Sequence, residues 1–215
     1  MAQIIRVKPG VTVNQDGTYP EMRGGRTGEL LKSDAHARYQ EAAYRGNVFS
    51  AVFPAAVAIV AATTATNPWT LSNPPNSGKL LSLLEVTWAI TTLNAAAQTT
   101  AITWSLAAYS NNLFSGITKT SVVNALVGSN IQPVGIASTI ATCVSATPTV
   151  IRYLGGEYQD VASAATSLIG WAKDEVAGAV IIAPNSGITV QCNANGGTIG
   201  NVSILVGMTW EEIPL

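Results

Sequence analysis

Few side chains in this sequence are of types that carry out chemistry, and they are loosely spaced. The closest approach to a paired-acid site is Glu157 with Asp160, or Asp174 with Glu175. Two such groups could flank a glycosidic bond as acid and base or nucleophile, or lend oxygens to calcium. The regular acidic spacing of a calcium loop is absent, and neighbouring carboxylates in loops are usually just solvated. His36 is the single histidine and lies far along the chain from Cys143 and Cys192. A nucleophile needs a base beside it, so a Ser–His or Cys–His site is not expected. A lone His with no second ligand nearby reads as a surface or contact residue. The two cysteines match no metal spacing. Each sits in an apolar, strand-like run and reads as a buried thiol, with a disulfide as the alternative. Phosphate loops and dinucleotide fingerprints are absent. The expectation is a chain that is not an enzyme, with no catalytic residues, no cofactor and no metal.

Charge is the next constraint. Charged residues are 11% of the 215, against about 25% in ordinary soluble domains. Either a large β-core carries Ser/Thr/Asn/Gln surfaces, or much of the surface is covered by other subunits. The net charge of −1 leaves no global footprint for nucleic acid. Residues 1–48 hold seven Lys/Arg and five Asp/Glu (+2), and residues 49–215 hold four and seven (−3). This break places an arm at 1–48 and a domain at 49–215. Met1 to Arg6 lacks an apolar secretory core, and Val48 to Ala62 is too short to span a bilayer and contains Pro54. No membrane association is expected.

Within the arm, Gln3–Val7 and Val11–Val13 suit short extended pieces broken by Pro9-Gly10. The region is too short, polar and glycine-rich to form its own core. Fully extended, residues 1–48 would reach roughly 160 Å. Its Arg6, Lys8, Arg23, Arg26 and Lys32 could touch phosphate, but interleaved acids favour salt bridges to a protein surface. Glu29 to Arg45 has helical composition, with Ala35, Tyr39, Ala42 and Ala43 on one stripe. Thr27 or Ser33 would cap it, and Arg45-Gly46 would stop it.

The rest alternates with period two between turn signals. Asn73-Pro74-Pro75-Asn76-Ser77-Gly78-Lys79 releases a strand with Leu80, Ser82, Leu84, Val86, Trp88 and Ile90 on one face. Further strands are expected with faces of Ile102/Trp104/Leu106/Ala108, Ile136/Ser138/Ile140/Thr142/Val144, Ile188/Val190/Cys192/Ala194 and Val202/Ile204/Val206/Met208/Trp210. Ser121–Val127, Thr149–Leu154 and Val176–Ala183 complete the set, and 160–171 is a loop or short helix. Pro-Asn-Ser-Gly occurs at 75–78 and again at 184–187, as recurring turn chemistry or as an internal duplication. About eight strands with almost no helix predict a mainly β fold: an antiparallel β-sandwich of jelly-roll type behind an extended arm with one short α-helix. An immunoglobulin-like sandwich is the alternative. Trp88, Trp104 and Trp210 are expected in the core. Trp69 and Trp171 lie beside turns and are expected, with Tyr39, Tyr44 and the arm's Arg6, Lys8, Arg23 and Arg26, at contact surfaces.

The segment Ser33–Ala42, continuing through Tyr44–Phe49, resembles structural proteins of tailed bacteriophages, as does Leu71–Leu81. The resemblance covers about residues 30–90 by motif and the remainder by texture. It implies a virion component assembled in the host cytoplasm, of the capsid cement or decoration type, a homo-oligomer (trimer favoured) bound to the major capsid protein or other virion proteins. It implies no specific nucleic acid. A head fibre, tail adaptor or receptor-binding base is the alternative within that class, and a carbohydrate-binding module lies outside it.

Overall fold

The period-two runs form strands. The computed structural model describes residues 37–53, 57–58, 66–67, 69–92, 99–109, 114–143, 148–160, 171–195 and 203–215. It has two units, residues 1–41 and 42–215. In the first unit the described residues are a turn leading into the helix. The Ala37 N–H donates to Gln40 Oε1 at 3.2 Å, the Gln40 N–H donates to the Ala37 carbonyl at 2.9 Å, and the Arg38 guanidinium lies 5.3 Å from the Tyr39 ring centre. Helix α1 is a single turn, Gln40–Tyr44. The helix expected over 29–45 is therefore not continuous through 37–39, where Ala37 and Gln40 cap it, and 29–36 lies outside the described residues.

The unit boundary falls at Glu41/Ala42, ahead of the composition break at 48. Gly46 and Asn47 look arm-like in composition, yet both are bonded to the sandwich: the Gly46 carbonyl accepts from Asn124 Nδ2 at 2.8 Å, and the Asn47 carbonyl from the Glu212 N–H at 2.8 Å.

The second unit is an antiparallel sandwich. The first sheet orders β11 (Trp171–Ile182), β5 (Lys79–Thr92), β13 (Ser203–Pro214), β1 (Val48–Val52) and β8 (Val122–Asn124), with β2 (Val57–Ala58) on β13. The second orders β10 (Thr149–Asp160), β6 (Thr99–Tyr109), β12 (Ser186–Asn195), β4 (Thr70–Asn73), β9 (Ile136–Cys143) and β3 (Thr66–Asn67), with β7 (Phe114–Lys119) on β9. Four strands of each sheet carry jelly-roll connectivity. β1, β5, β11 and β13 alternate along the chain with β4, β6, β10 and β12, except that β6 and β10 follow one another in the same sheet, and they lie in the orders β1-β13-β5-β11 and β4-β12-β6-β10. The strands β7, β8 and β9 are inserted between β6 and β10; β8 extends the first sheet and β9 the second.

The core is shared between the sheets. Trp88 of β5 meets Trp104 of β6 with ring centres 6.3 Å apart, and Phe49 stacks on Trp210 at 6.2 Å. Trp88, Trp104 and Trp210 are buried as expected. So are Leu106, Ile188, Val190, Ile204, Val206 and Met208 on the expected faces.

Two faces differ from expectation. On β5 the core cluster takes Leu81 and Leu83, then Val86 and Trp88, while Ser82 and Leu84 of the expected face are buried outside it. The phase slips where Thr209 pairs with Glu85 and Trp210 with Leu83, leaving Leu84 as the extra residue of a bulge. On β9 the core cluster takes Ala137 and neither Ile136 nor Ser138, although Ser138 is itself fully buried, its Oγ donating to the Thr70 carbonyl at 3.4 Å.

Strand β8 stops at Asn124 and residues 125–135 are loop, where a strand to Val127 was expected. β10 continues through Gly155-Gly156, where a stop was expected, because register shifts at 150/152 and 153/155 absorb the glycines. Residues 161–170 lie outside the described set. The two Pro-Asn-Ser-Gly turns share a conformation and a location. Asn76 and Asn185 both sit in the left-handed region (φ 59° and 62°), and the Asn185 N–H donates to the Asn73 carbonyl at 2.9 Å.

Candidate docking surface

The carboxylates do not converge. Asp174 and Glu175 are adjacent on β11, so they project to opposite faces. Asp174 takes a bidentate pair from Arg152 of the other sheet (Nε–Oδ2 2.8 Å, Nη2–Oδ1 2.9 Å). This pair clasps the two sheets together at one rim and raises the guanidinium pKa further above its usual value, through the hydrogen bond first and the charge second. Glu175 shares Lys173 with Glu85, at 3.0 and 3.2 Å. The Lys173 ammonium is raised by hydrogen bonds to Glu175 and then Glu85. The side chains of Glu157 and Asp160, Cys143 and Cys192, and the whole of His36, lie outside the described residues. Among the described residues no three His, Cys, Asp or Glu side chains are grouped to hold a metal ion, and no helix is long and apolar enough to cross a membrane.

Of the expected contact residues, Arg6, Lys8, Arg23 and Arg26 fall outside the described residues. Tyr39 is half-buried and Tyr44 is 74% exposed. Trp171 opens β11 in register with Ala89. Trp69 is a correction: it is completely buried in the core. It lies just ahead of β4 with φ 56° and packs into the same core cluster as Leu71. It cannot serve as an accessible contact.

An unexpected surface lies at the opposite rim. After β8 the chain runs Ala125-Leu126-Val127-Gly128-Ser129-Asn130-Ile131, and no charged residue occurs between Lys119 and Arg152. Val123 is 60% exposed, Leu126 38%, Val127 89% and Ile131 46%. This apolar ledge is held in one shape from below. Asn124 is buried; its Oδ1 accepts from the Leu126 N–H at 2.8 Å while its Nδ2 holds the Gly46 carbonyl. The Ser129 N–H donates to the Leu126 carbonyl at 2.9 Å, and Ser129 Oγ accepts from the Ile131 N–H at 3.1 Å. Gly46 has φ 72°, and a Cβ there would collide with Ile131 Cδ1.

The other end of the loop hangs on Glu212. Its carboxylate is fully buried and Oε1 accepts from the Val134 and Gly135 N–H groups at 2.7 and 2.9 Å. Oε2 pairs with Lys79 Nζ at 2.8 Å. A buried charge with this many donors is well compensated, and its partners fix both the last strand and the loop.

On the first sheet, Val52, Thr87, Ala89, Leu205 and Gly207 line an open groove of about 210 Å³. A Cβ at Gly207 would come within 2.6 Å of Thr87 Oγ1, so the missing side chain keeps the groove open. A second hollow of about 260 Å³ is lined by Lys119, Thr120, Gln132 and Pro133, among others.

Sequence reading missed both the ledge and Glu212. The available signal for the ledge was the uncharged run with apolar residues in a Gly-Ser-Asn turn. Glu212 had none, because a glutamate closing a strand is ordinarily solvent-exposed. Comparison with protein-family models, curated proteins and solved structures found no match.

Proposed function

We propose that this chain is a non-enzymatic structural protein of a tailed-bacteriophage virion, a capsid cement or decoration protein that bridges major capsid subunits. The observation that carries this reading is the rigidly held, uncharged apolar ledge on a jelly-roll domain. Exposed apolar surface of this kind marks a place where another macromolecule sits, and fixing its shape beforehand lowers the ordering cost of binding. Three of the four cations of residues 49–215, Lys79, Arg152 and Lys173, are already in ion pairs within the chain. Contacts made by this domain thus rest on shape and apolar area more than on charge. The charge-rich segment ahead of it supplies the electrostatic part of the contact. Fold alone does not carry the assignment, since jelly rolls also serve as lectins. The sugar-binding alternative loses Trp69 as a stacking platform.

The test is co-sedimentation with capsids of the parent phage. Full-length protein is expected to pellet with capsids. A chain lacking residues 1–41, cut at the unit boundary so that Gly46 and Asn47 keep their bonds, is expected to stay folded by circular dichroism and to lose most capsid binding. No pelleting of the full-length chain would sink the proposal, and undiminished pelleting of the truncated chain would remove the arm's part in it.

A further inference from the structure

We propose that the one-turn helix α1 controls the ledge: the loop that carries Leu126, Val127 and Ile131 keeps its shape only while α1 is formed. The inference concerns the chain by itself and does not depend on which partner meets the ledge. Three links lead from the helix to the loop.

The first is the end of the helix. The Gly46 N–H donates to the Ala43 carbonyl at 2.9 Å and the Asn47 N–H to the Ala42 carbonyl at 3.0 Å, with Gly46 at φ 72°. This is the Schellman ending, with glycine at the left-handed position, and it fixes where the Gly46 and Asn47 carbonyls point. Those carbonyls are the second link. Gly46 accepts from Asn124 Nδ2 and Asn47 from the Glu212 N–H, each at 2.8 Å. The third link is made by the same two buried residues. Asn124 Oδ1 accepts from the Leu126 N–H, and Glu212 Oε1 accepts from the Val134 and Gly135 N–H groups. Each residue therefore holds the helix end with one group and the loop with another. Ile131 Cδ1 also fills the space beside Gly46 where a side chain would stand.

The helix is the weak member of this series. It has five residues, none of them buried, and a helix of one turn is not stable by itself in water. Elements of low local stability open before the core does. When α1 melts, the Gly46 carbonyl is no longer presented to Asn124, and Asn124 is freed to leave Leu126. The Glu212 branch is stiffer, because Glu212 lies in β13 and pairs with Leu81 of β5. The effect is thus larger at Leu126 than at Val134 and Gly135. A contact that settles α1 settles the ledge with it, so engagement of the residues ahead of the sandwich also prepares an apolar surface far along the chain.

The experiment is amide exchange of the full-length chain, read residue by residue by NMR with no partner present. Ala43→Gly weakens the helix and keeps its backbone donors and acceptors. It is expected to speed exchange at Leu126 about fivefold, the factor that glycine in place of alanine costs a helix. Tyr44→Pro, at an exposed position, also removes a helix donor and is expected to exceed about tenfold. Val134 and Gly135 are expected to respond less, and β10 and β11 to stay at the wild-type rate. In the reverse direction, Asn124→Ala is expected to speed exchange at Gly46 and Asn47, since coupling between two sites is reciprocal. Unchanged exchange at Leu126 in both helix variants overturns the inference. Equal speeding at β10 and β11 also overturns it, because it reports a general loss of stability. Either result leaves the virion reading standing, and failure to pellet with capsids leaves this coupling standing.

Discussion

The two rims of the sandwich use charge in opposite ways. At the β10/β11 rim charge is on the surface: Arg152 clasps Asp174 across the sheets, and Lys173 sits between Glu85 and Glu175. Ile151 and Tyr153 are exposed on β10, but they lie among register shifts and ion pairs that spoil a flat pairing edge. At the β1/β8 rim charge is buried: Glu212 lies beneath the loop and holds it, and the surface above is apolar. A solvated ion pair adds little stability but blocks association. A buried, fully bonded carboxylate fixes backbone that would otherwise be free to move. The difference is one of use: at one rim charge lies on the surface, and at the other it fixes backbone beneath an apolar face.

Removing the buried charge is the largest test of that contrast. Glu212→Ala strips the acceptors from the Val134 and Gly135 N–H groups and leaves Lys79 unpaired. It is expected to lower stability by about 3 kcal/mol in urea unfolding and to speed amide exchange at 134–135. The matched change at the other rim, Asp174→Ala, is expected to cost no more than about 1 kcal/mol. Equal costs would erase the distinction. Next in size is Gly46→Ala, which forces an L-residue into the left-handed region at about 1–2 kcal/mol and pushes Ile131 aside. Thermal unfolding reads the cost, and faster amide exchange at residues 126–131 reads the altered ledge.

Arg152→Ala is expected to change stability by less than about 1 kcal/mol while increasing concentration-dependent aggregation, because β10 then presents Ile151 and Tyr153 without their cationic guard. Unchanged solubility would mean that the bulges alone protect this edge. The smallest effect is that of salt. About 1 M NaCl screens contacts beyond roughly 3 Å, so it is expected to lower stability by less than about 1 kcal/mol through the surface pairs while amide exchange at 134–135 stays slow. Faster exchange there in salt would put the Glu212 anchor in the same class as the surface pairs.

Much of the fold was legible because a strand's side-chain period is two. Ile204, Val206, Met208 and Trp210 alternate cleanly and are buried accordingly, and Pro-Asn-Ser-Gly marked two real turns. Bulges defeated the same rule: one extra residue at Leu84 moves Leu81 and Leu83 into the core. Trp69 lies beside a turn yet is buried, because its left-handed backbone (φ 56°) ahead of β4 places it in the core, which no local spacing shows. The charge break lies at 48, whereas the unit boundary lies at Glu41/Ala42, and hydrogen bonds from Asn124 and Glu212, far along the chain, tie Gly46 and Asn47 to the second unit.

The sequence by itself determined the strand-rich class, the turns, most of the core and the scarcity of catalytic groups, because each is written in local spacing and residue type. The tertiary structure alone decided the strand order, the burial of Glu212 and the exposure of the ledge. Each of those depends on which distant residues meet: Glu212 becomes a buried anchor only when β13 passes beneath residues 134–135, and Val127 becomes prominent only when Asn124 turns the chain outward from β8.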